Sequence, residues 1–349
     1  MAYFILTILI IYILTGTLAT AVFFKKTFSS CKIQKYSAVW PYEHYRGKYP
    51  RREVSFPSGK ETLRGYVYGC DNDKGLIVFS HGIWSGPDEY LGIITAMVDR
   101  GFVVFAYDYT GYNNSTGRSS RGLCQSPIDL DAALKFIEKD EALKGFPIIT
   151  MGHSWGAYAS TAILSSGHRI AGAVAMSGFN SPQKISMEVS RMTLGPAGVL
   201  LAPFTRLFNL ILFGKKSFLT AVDGLNASGV PALISHGNKD NYIHYETASI
   251  SCMKDKITNP NVRYDVVTDE YRNNHDRIML TSDAAKLMKE TIEAWSKVKK
   301  SYKAKKEKVP EEVRKEFFEG IDKEAMNQPP TEYYDMIADF CGEVFSKLH

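Results

Sequence analysis

At 349 residues, with 45% hydrophobic and 23% charged side chains, the chain is long enough for one large α/β domain with additions, and no Gly/Ser- or Pro-rich linker divides its middle. The formal charge of +5 is mild and its basic residues are scattered apart from one run near the C-terminus, which, with no DNA or RNA motif present, leaves nucleic acid out as a partner. The five cysteines (Cys31, Cys70, Cys124, Cys252 and Cys341) are odd in number, widely spaced and never in a Cys-x-x-Cys pair, so neither a disulfide framework nor a metal site is implied.

Residues 3–24 contain no charge and would span roughly 33 Å as a helix, enough to cross a bilayer. A transmembrane anchor over residues 1–28 is expected. The competing reading is a cleaved signal peptide, because Ala19-Thr20-Ala21 has the small residues of a cleavage site, although a basic n-region is missing. Lys25, Lys26, Lys32 and Lys35 flank the C-terminal end of the segment, so the positive-inside rule puts the rest of a single-pass chain on the cytoplasmic face; secretion after cleavage is the alternative. Residues 29–51 are polar and aromatic without periodicity and read as a juxtamembrane connector.

The main domain is expected over residues 52–298. Two β-rich runs, 52–56 and 63–68, flank Pro57-Ser58-Gly59-Lys60 and predict a hairpin. Residues 76–80 (LIVFS) form a buried strand that runs into His81-Gly82-Ile83-Trp84-Ser85-Gly86. Pro87 opens a helix through Arg100, with Gly101 as its stop, and residues 102–107 (FVVFAY) are the next buried strand, which makes a parallel crossover. A turn-rich loop, Asp108 to Ser115, follows. The helix beginning at Ser126-Pro127 aligns Leu130, Ala133, Leu134 and Ile137 in one stripe.

The chain is organised around residues 146–164, FPIITMGHSWGAYASTAIL. A short apolar strand and a helix of small residues flank Gly152-His153-Ser154-Trp155-Gly156. This Gly-x-Ser-x-Gly pattern predicts a nucleophile elbow, a sharp turn that presents the Ser154 hydroxyl at the end of the sheet and at a helix N-terminus. Side chains at positions 152 and 156 would collide with the neighbouring strand or helix.

After a strand at residues 170–176 the pattern breaks. Residues 180–230 read as an insertion with two apolar runs and only Glu188 and Asp223 as acids, which suits a cap over an active site. Strands resume at residues 231–235, leading into His236-Gly237-Asn238-Lys239-Asp240. A helix around Ala248, a last strand at 262–267 and the loop Asn273-Asn274-His275-Asp276 come next. The final helix, 282–298, is expected to pack Leu287, Met288, Ile292 and Trp295 on one side. Residues 299–349 form a basic and helical extension, broken at Pro329-Pro330, that a core domain does not need; its basic run is either a solvated face or a contact with anionic lipid.

With the elbow on the fifth strand, residues 52–298 resemble the α/β-hydrolase superfamily, whose fold is a mostly parallel central sheet flanked by helices. Within it the chain looks like the monoacylglycerol lipase and serine aminopeptidase-like branch, through His81-Gly82, Asp108-Tyr109-Thr110-Gly111, Gly-His-Ser-Trp-Gly and a cap before the acid. The family order of nucleophile, acid and histidine falls on Ser154, Asp240 and His275. Thr110 stands where the branch usually has an arginine, and Asn113 where it usually has a glycine.

A serine hydroxyl needs a base, and the base needs a carboxylate on its other nitrogen. Asp223 and Glu246 are the rivals of Asp240, and His236 and His244 those of His275; His153 reads as a residue packed beside the elbow, while His44, His168 and His349 lack a catalytic context. The oxyanion donors would be the backbone amides of Ile83 and Trp155, with Gly82 allowing close approach. The expectation is a membrane-tethered serine hydrolase of small-molecule or lipid acyl esters, without cofactor or metal. A serine peptidase would want acids near the site, whereas the insertion has Lys184, Arg191, Arg206, Lys215 and Lys216; thioesterase chemistry would use the same residues, and a membrane scaffold on an inactive hydrolase fold is the non-enzyme alternative.

Overall fold

The computed structural model describes residues 1–348, so His349 lies outside the described residues. The uncharged N-terminal run forms one helix, α1 (Ala2–Thr27), whose apolar side chains are mostly exposed, as in Phe4, Ile8, Ile11 and Leu18. Residues Tyr3–Thr27 are long and apolar enough to cross a membrane, with a mean hydropathy of 2.3 over an 18-residue window. The connector is not a free stalk. It carries the short helix α2 (Tyr42–Tyr45), bridges Ser29 to Ser119 and Cys31 to Tyr112, and buries Tyr42 against the domain.

The hairpin forms as expected from β1 (Arg51–Ser58) and β2 (Glu61–Tyr68), with Gly59 taking the left-handed conformation that the two-residue turn requires. The chain then winds through β3 (Leu76–Ser80), α3 (Leu91–Asp99), β4 (Val103–Tyr107), α4 (Gln125–Ile137), β5 (Ile148–His153), α5 (Trp155–Ala162) and β6 (Ile170–Met176). Helices α6 (Pro182–Leu194), α7 (Ala202–Phe213) and α8 (Ala221–Ser228) precede β7 (Ala232–Gly237) and β8 (Val262–Val267). Helices α9 (Ser282–Ala304), α10 (Glu311–Glu319), α11 (Lys323–Met326) and α12 (Thr331–Ser346) complete it.

The eight strands lie in the order β1-β2-β4-β3-β5-β6-β7-β8. β2 is antiparallel to β1 and β4, and the remaining pairs are parallel. Parallel strands covered on both faces read as continuous apolar runs, and β3, β4 and β5 are buried along their whole length. On one face Val78, Phe105 and Phe56 pack with Leu130 and Leu134 of α4, Tyr158 of α5 and Leu225 of α8. On the other, Ile77, Phe79 and Met151 pack with Ile93 and Ile94 of α3 and with Ile337, Phe340 and Phe345 of α12.

Four expectations change here. The C-terminal extension is part of the core: α12 buries Tyr333, Ile337, Phe340, Cys341, Val344 and Phe345 over the sheet. The expected closing helix, α9, instead packs on α11, buries Ala284, Ala285, Thr291 and Trp295, and leaves Ile292 57% exposed. Its apolar stripe faced a rival with a broader one, and the sheet took the rival. Within residues 180–230, α8 belongs to the core because it docks on α5, with Gly224 close against the Thr161 carbonyl; α6 and α7 are what is left of the insertion expected to form a cap. The helix expected around Ala248 is a turn followed by a 3-10 segment, Ser251–Lys256.

Candidate active site

Ser154 sits between β5 and α5 at φ 55° and ψ −113°, backbone that a non-glycine residue adopts only when its surroundings enforce it. The enforcement is visible. A Cβ on Gly152 would run into the Gly156 backbone, and one on Gly156 into the Ser80 carbonyl of β3, so strand and helix approach at the distance only glycine permits. The Ser154 amide donates to the Met176 carbonyl of β6 at 2.8 Å, which pins the turn to the sheet.

Two loops from the same sheet end bring the other residues. Asp240 follows β7 and His275 follows β8, and neighbouring strands thereby place them together although 35 residues separate them. His275 Nε2 lies 2.8 Å from Ser154 Oγ, and Nδ1 lies 2.6 Å from Asp240 Oδ2. Asp240 Oδ1 accepts the amides of Tyr242 and Ile243, both at 2.8 Å, and His236 Nε2 stands 3.1 Å from Oδ2. Burial favours a neutral carboxyl here, but the donors and charges of His236 and His275 outweigh it and hold Asp240 well below the usual carboxylate range. For His275 burial pulls the pKa down, and the hydrogen bond and charge of Asp240 carry it above the ordinary 6.5.

His153 does more than pack beside the elbow. Its Nδ1 is 2.9 Å from the Tyr90 hydroxyl, which also accepts the Gly82 amide at 3.1 Å, and its Nε2 is 3.1 Å from the His275 carbonyl. Ser177 Oγ donates to that carbonyl at 3.0 Å. Burial and the neighbouring His275 push the His153 pKa down to about 4, which leaves it neutral near pH 7. The chain Gly82–Tyr90–His153–His275 thus ties the loop after β3 to the loop after β8. Tyr90 was invisible in the sequence because a tyrosine in a helical run carries no sign of what its hydroxyl reaches.

The amides on either side of Ile83 are occupied: Gly82 by Tyr90 and Trp84 by the Tyr112 hydroxyl at 3.4 Å. Among the described residues the Ile83 and Trp155 amides have no intramolecular acceptor. Both residues line the same cavity as Ser154 and His275, about 820 Å³ in volume. Trp155 opens α5, so its free amide lies at a helix N-terminus, a place that favours developing negative charge.

Of the rivals, His236 bears on Asp240 itself, and the others are engaged elsewhere. His244 pairs with Glu188 of the cap at 2.7 Å, and Asp223 lies in the first turn of α8 beside Thr220. Glu246 is exposed in a turn. His168 bonds to Asp131 and Glu138, and His44 stacks on Trp40. The departures at Thr110 and Asn113 are structural: Thr110 bonds to Asp129 through its amide and hydroxyl, and Asn113, at φ 40°, ties Asp108 to the Ser85 carbonyl. Asn tolerates the left-handed region that a glycine would occupy. His153, His275 and Asp276 have metal-ligand types within reach of one another. Their ring nitrogens already meet Tyr90, the His275 carbonyl, Ser154 and Asp240, which leaves no imidazole lone pair for an ion.

The sheet order and the elbow define an α/β-hydrolase of the serine hydrolase class. A family model described as Serine aminopeptidase, S33, matches residues 71–305, more than half of the chain, and the chain belongs to that family. Among solved structures it is similar to an esterase of Pyrococcus furiosus, at 18% identity and a TM-score of 0.54 over 79% of this chain and 98% of the other. It also matches Est1E of Butyrivibrio proteoclasticus, solved with ferulic acid, at 16% identity over 64% and 90% of the two chains, TM-score 0.49. An acylaminoacyl peptidase of Pyrococcus horikoshii matches at 15% over 67% and 39%, TM-score 0.48. At these identities the likeness is one of fold. No curated protein matches the chain in sequence.

Proposed function

We propose that the chain is a membrane-tethered serine hydrolase of carboxylic esters, working through an acyl-enzyme on Ser154. The observation that carries this reading is the unbroken hydrogen-bonded line from Ser154 through His275 to Asp240 at the elbow. Ser154 Oγ attacks the ester carbonyl and its proton passes to His275 Nε2, while Asp240 holds the Nδ1–H and offsets the imidazolium charge. The Ile83 and Trp155 amides receive the oxyanion. Collapse expels the alcohol with the proton from His275, and water, deprotonated by the same nitrogen, releases the acid. α1 supports the tether, since a helix of its length and apolarity suits a bilayer.

The test uses the full chain in mild detergent against a series of p-nitrophenyl esters of increasing acyl length. Activity that falls by about a thousandfold or more in Ser154→Ala is the expected result. Activity kept by that variant would remove Ser154 as the nucleophile. A second reading, an aminopeptidase, is favoured by one observation: Glu89 and Asp276 line the cavity and offer carboxylates to a substrate ammonium. Against it, burial raises the Glu89 pKa and so disfavours the charge an ammonium needs. Aminoacyl p-nitroanilides cleaved faster than any ester would exchange the two readings.

A further inference from the structure

The cavity above Ser154 has a wall that lies partly outside the family-matched residues. Residues 37–40 of the connector and Phe28, just after α1, line it, facing Met288 and Ile292 of α9 within the matched region. The connector is held there by the opposite end of the chain. Arg314 of α10 donates through Nε to the Tyr36 carbonyl at 2.8 Å, and Asn327, just after α11, donates to the Ala38 carbonyl at 2.9 Å. The Lys323 ammonium stands 5.3 Å from the centre of the Trp40 ring, whose other neighbour is His44, stacked at 4.3 Å. Two additions lying outside residues 71–305 therefore meet at the site and complete it.

We propose that residues 37–40, clamped by the C-terminal extension, form the wall of an acyl-chain groove and set the chain length of the ester that Ser154 accepts. The proposal rests on the esterase reading. Ala38, Val39 and Trp40 with Met288 and Ile292 present mostly carbon, which suits an aliphatic chain rather than a polar one. The volume of about 820 Å³ lies high in the range of roughly 300–1,000 Å³ usual for small-molecule sites. Each further methylene buried there strengthens binding by about fourfold, so a change in wall volume reads out as a change in chain-length preference. Phe23 and Thr27 of α1 and Phe28 just after it line the same cavity, and Trp84 Nε1 donates to the Thr27 carbonyl at 2.9 Å. The groove thus opens where the apolar helix ends, the level at which a lipid ester would present its carbonyl from a bilayer surface.

The experiment measures labelling rates of Ser154 in the full chain, in lipid nanodiscs, by an ethyl and a hexadecyl fluorophosphonate. Val39→Trp narrows the groove and should lower the hexadecyl-to-ethyl rate ratio by about tenfold or more. Val39→Ala widens it and should raise the ratio, and Asn327→Ala, which frees the Ala38 carbonyl, should lower it. If Val39→Trp fails to fold, as judged by its thermal transition, the other two variants decide. A ratio unmoved in the folded variants, or both rates falling together, overturns the assignment of the wall while leaving Ser154 as nucleophile. Failure of both probes to label the wild-type chain removes the esterase reading, and the groove with it.

Discussion

Ser154 keeps a backbone conformation that costs about 1–3 kcal/mol and is held by contacts no side chain at positions 152 or 156 would allow. Gly156→Ala should accordingly cost more than the usual surface substitution, because the obstacle is the Ser80 carbonyl of a central strand, which cannot move aside; loss of soluble protein or a melting temperature lower by several degrees is the expected outcome. Under the proposed mechanism His275 sets the pH dependence. Its folded pKa lies above 6.5 and the mechanism needs its neutral form, so labelling of Ser154 should rise with pH through a limb above 6.5 and then level off. Asp240→Asn removes the charge that raises this pKa and leaves the burial that lowers it, so the limb should move to lower pH while the plateau falls. The effect on stability runs the other way: the His275–Asp240 interaction contributes fully below the unfolded histidine's pKa and is lost as pH rises through the folded value. At this scale the sequence is informative where chemistry is local. The elbow announces itself through glycine spacing, whereas the Tyr90–His153 connection depends on where a hydroxyl in the 3-10 turn before α3 lands and leaves no pattern.

Two amphipathic helices, α9 and α12, compete for one description in the sequence and divide it in the fold. α12 covers the sheet, so Phe340→Ala should destabilise by about 3–5 kcal/mol in urea titration, the range for removing a buried aromatic side chain. Ile292→Ala in α9 should change stability by no more than about 0.5 kcal/mol, because that side chain is exposed. Equal effects would mean that the two helices share the sheet. The cap shows a related division. An 18-residue stretch within residues 182–228 is apolar enough to resemble a membrane span, but Gly195 and Gly214 take left-handed φ values that end α6 and α7, and the chain turns between the helices instead of running straight.

Across the whole molecule, α1 is tied to the cap as well as to the connector. The Tyr12 hydroxyl donates to the Leu200 carbonyl at 2.8 Å, the Tyr12 ring meets Phe204 edge-on at 5.0 Å, and Phe24 lies 5.5 Å from Phe208. Removing residues 1–28 would bare Phe204 and Phe208 beside Leu200, Leu207, Leu210 and Ile211, which are already exposed. The truncated chain should therefore remain aggregated without detergent, as light scattering would report. A monodisperse truncated protein would show that α1 is a tether and nothing more.

By itself the sequence determined the alternation of strands and helices and the elbow, because each follows from periodicity or from steric needs within a few residues, while the order of serine, acid and histidine came from the resemblance to the α/β-hydrolases. Only the tertiary structure decided which helix covers the sheet, that α8 belongs to the core, and that residues 36–38 are gripped by residues 314 and 327, nearly 300 positions later. The physical reason is that an apolar stripe states that a face must be buried without naming its partner. A hydrogen bond between distant backbone and side chain leaves no periodic trace at either end.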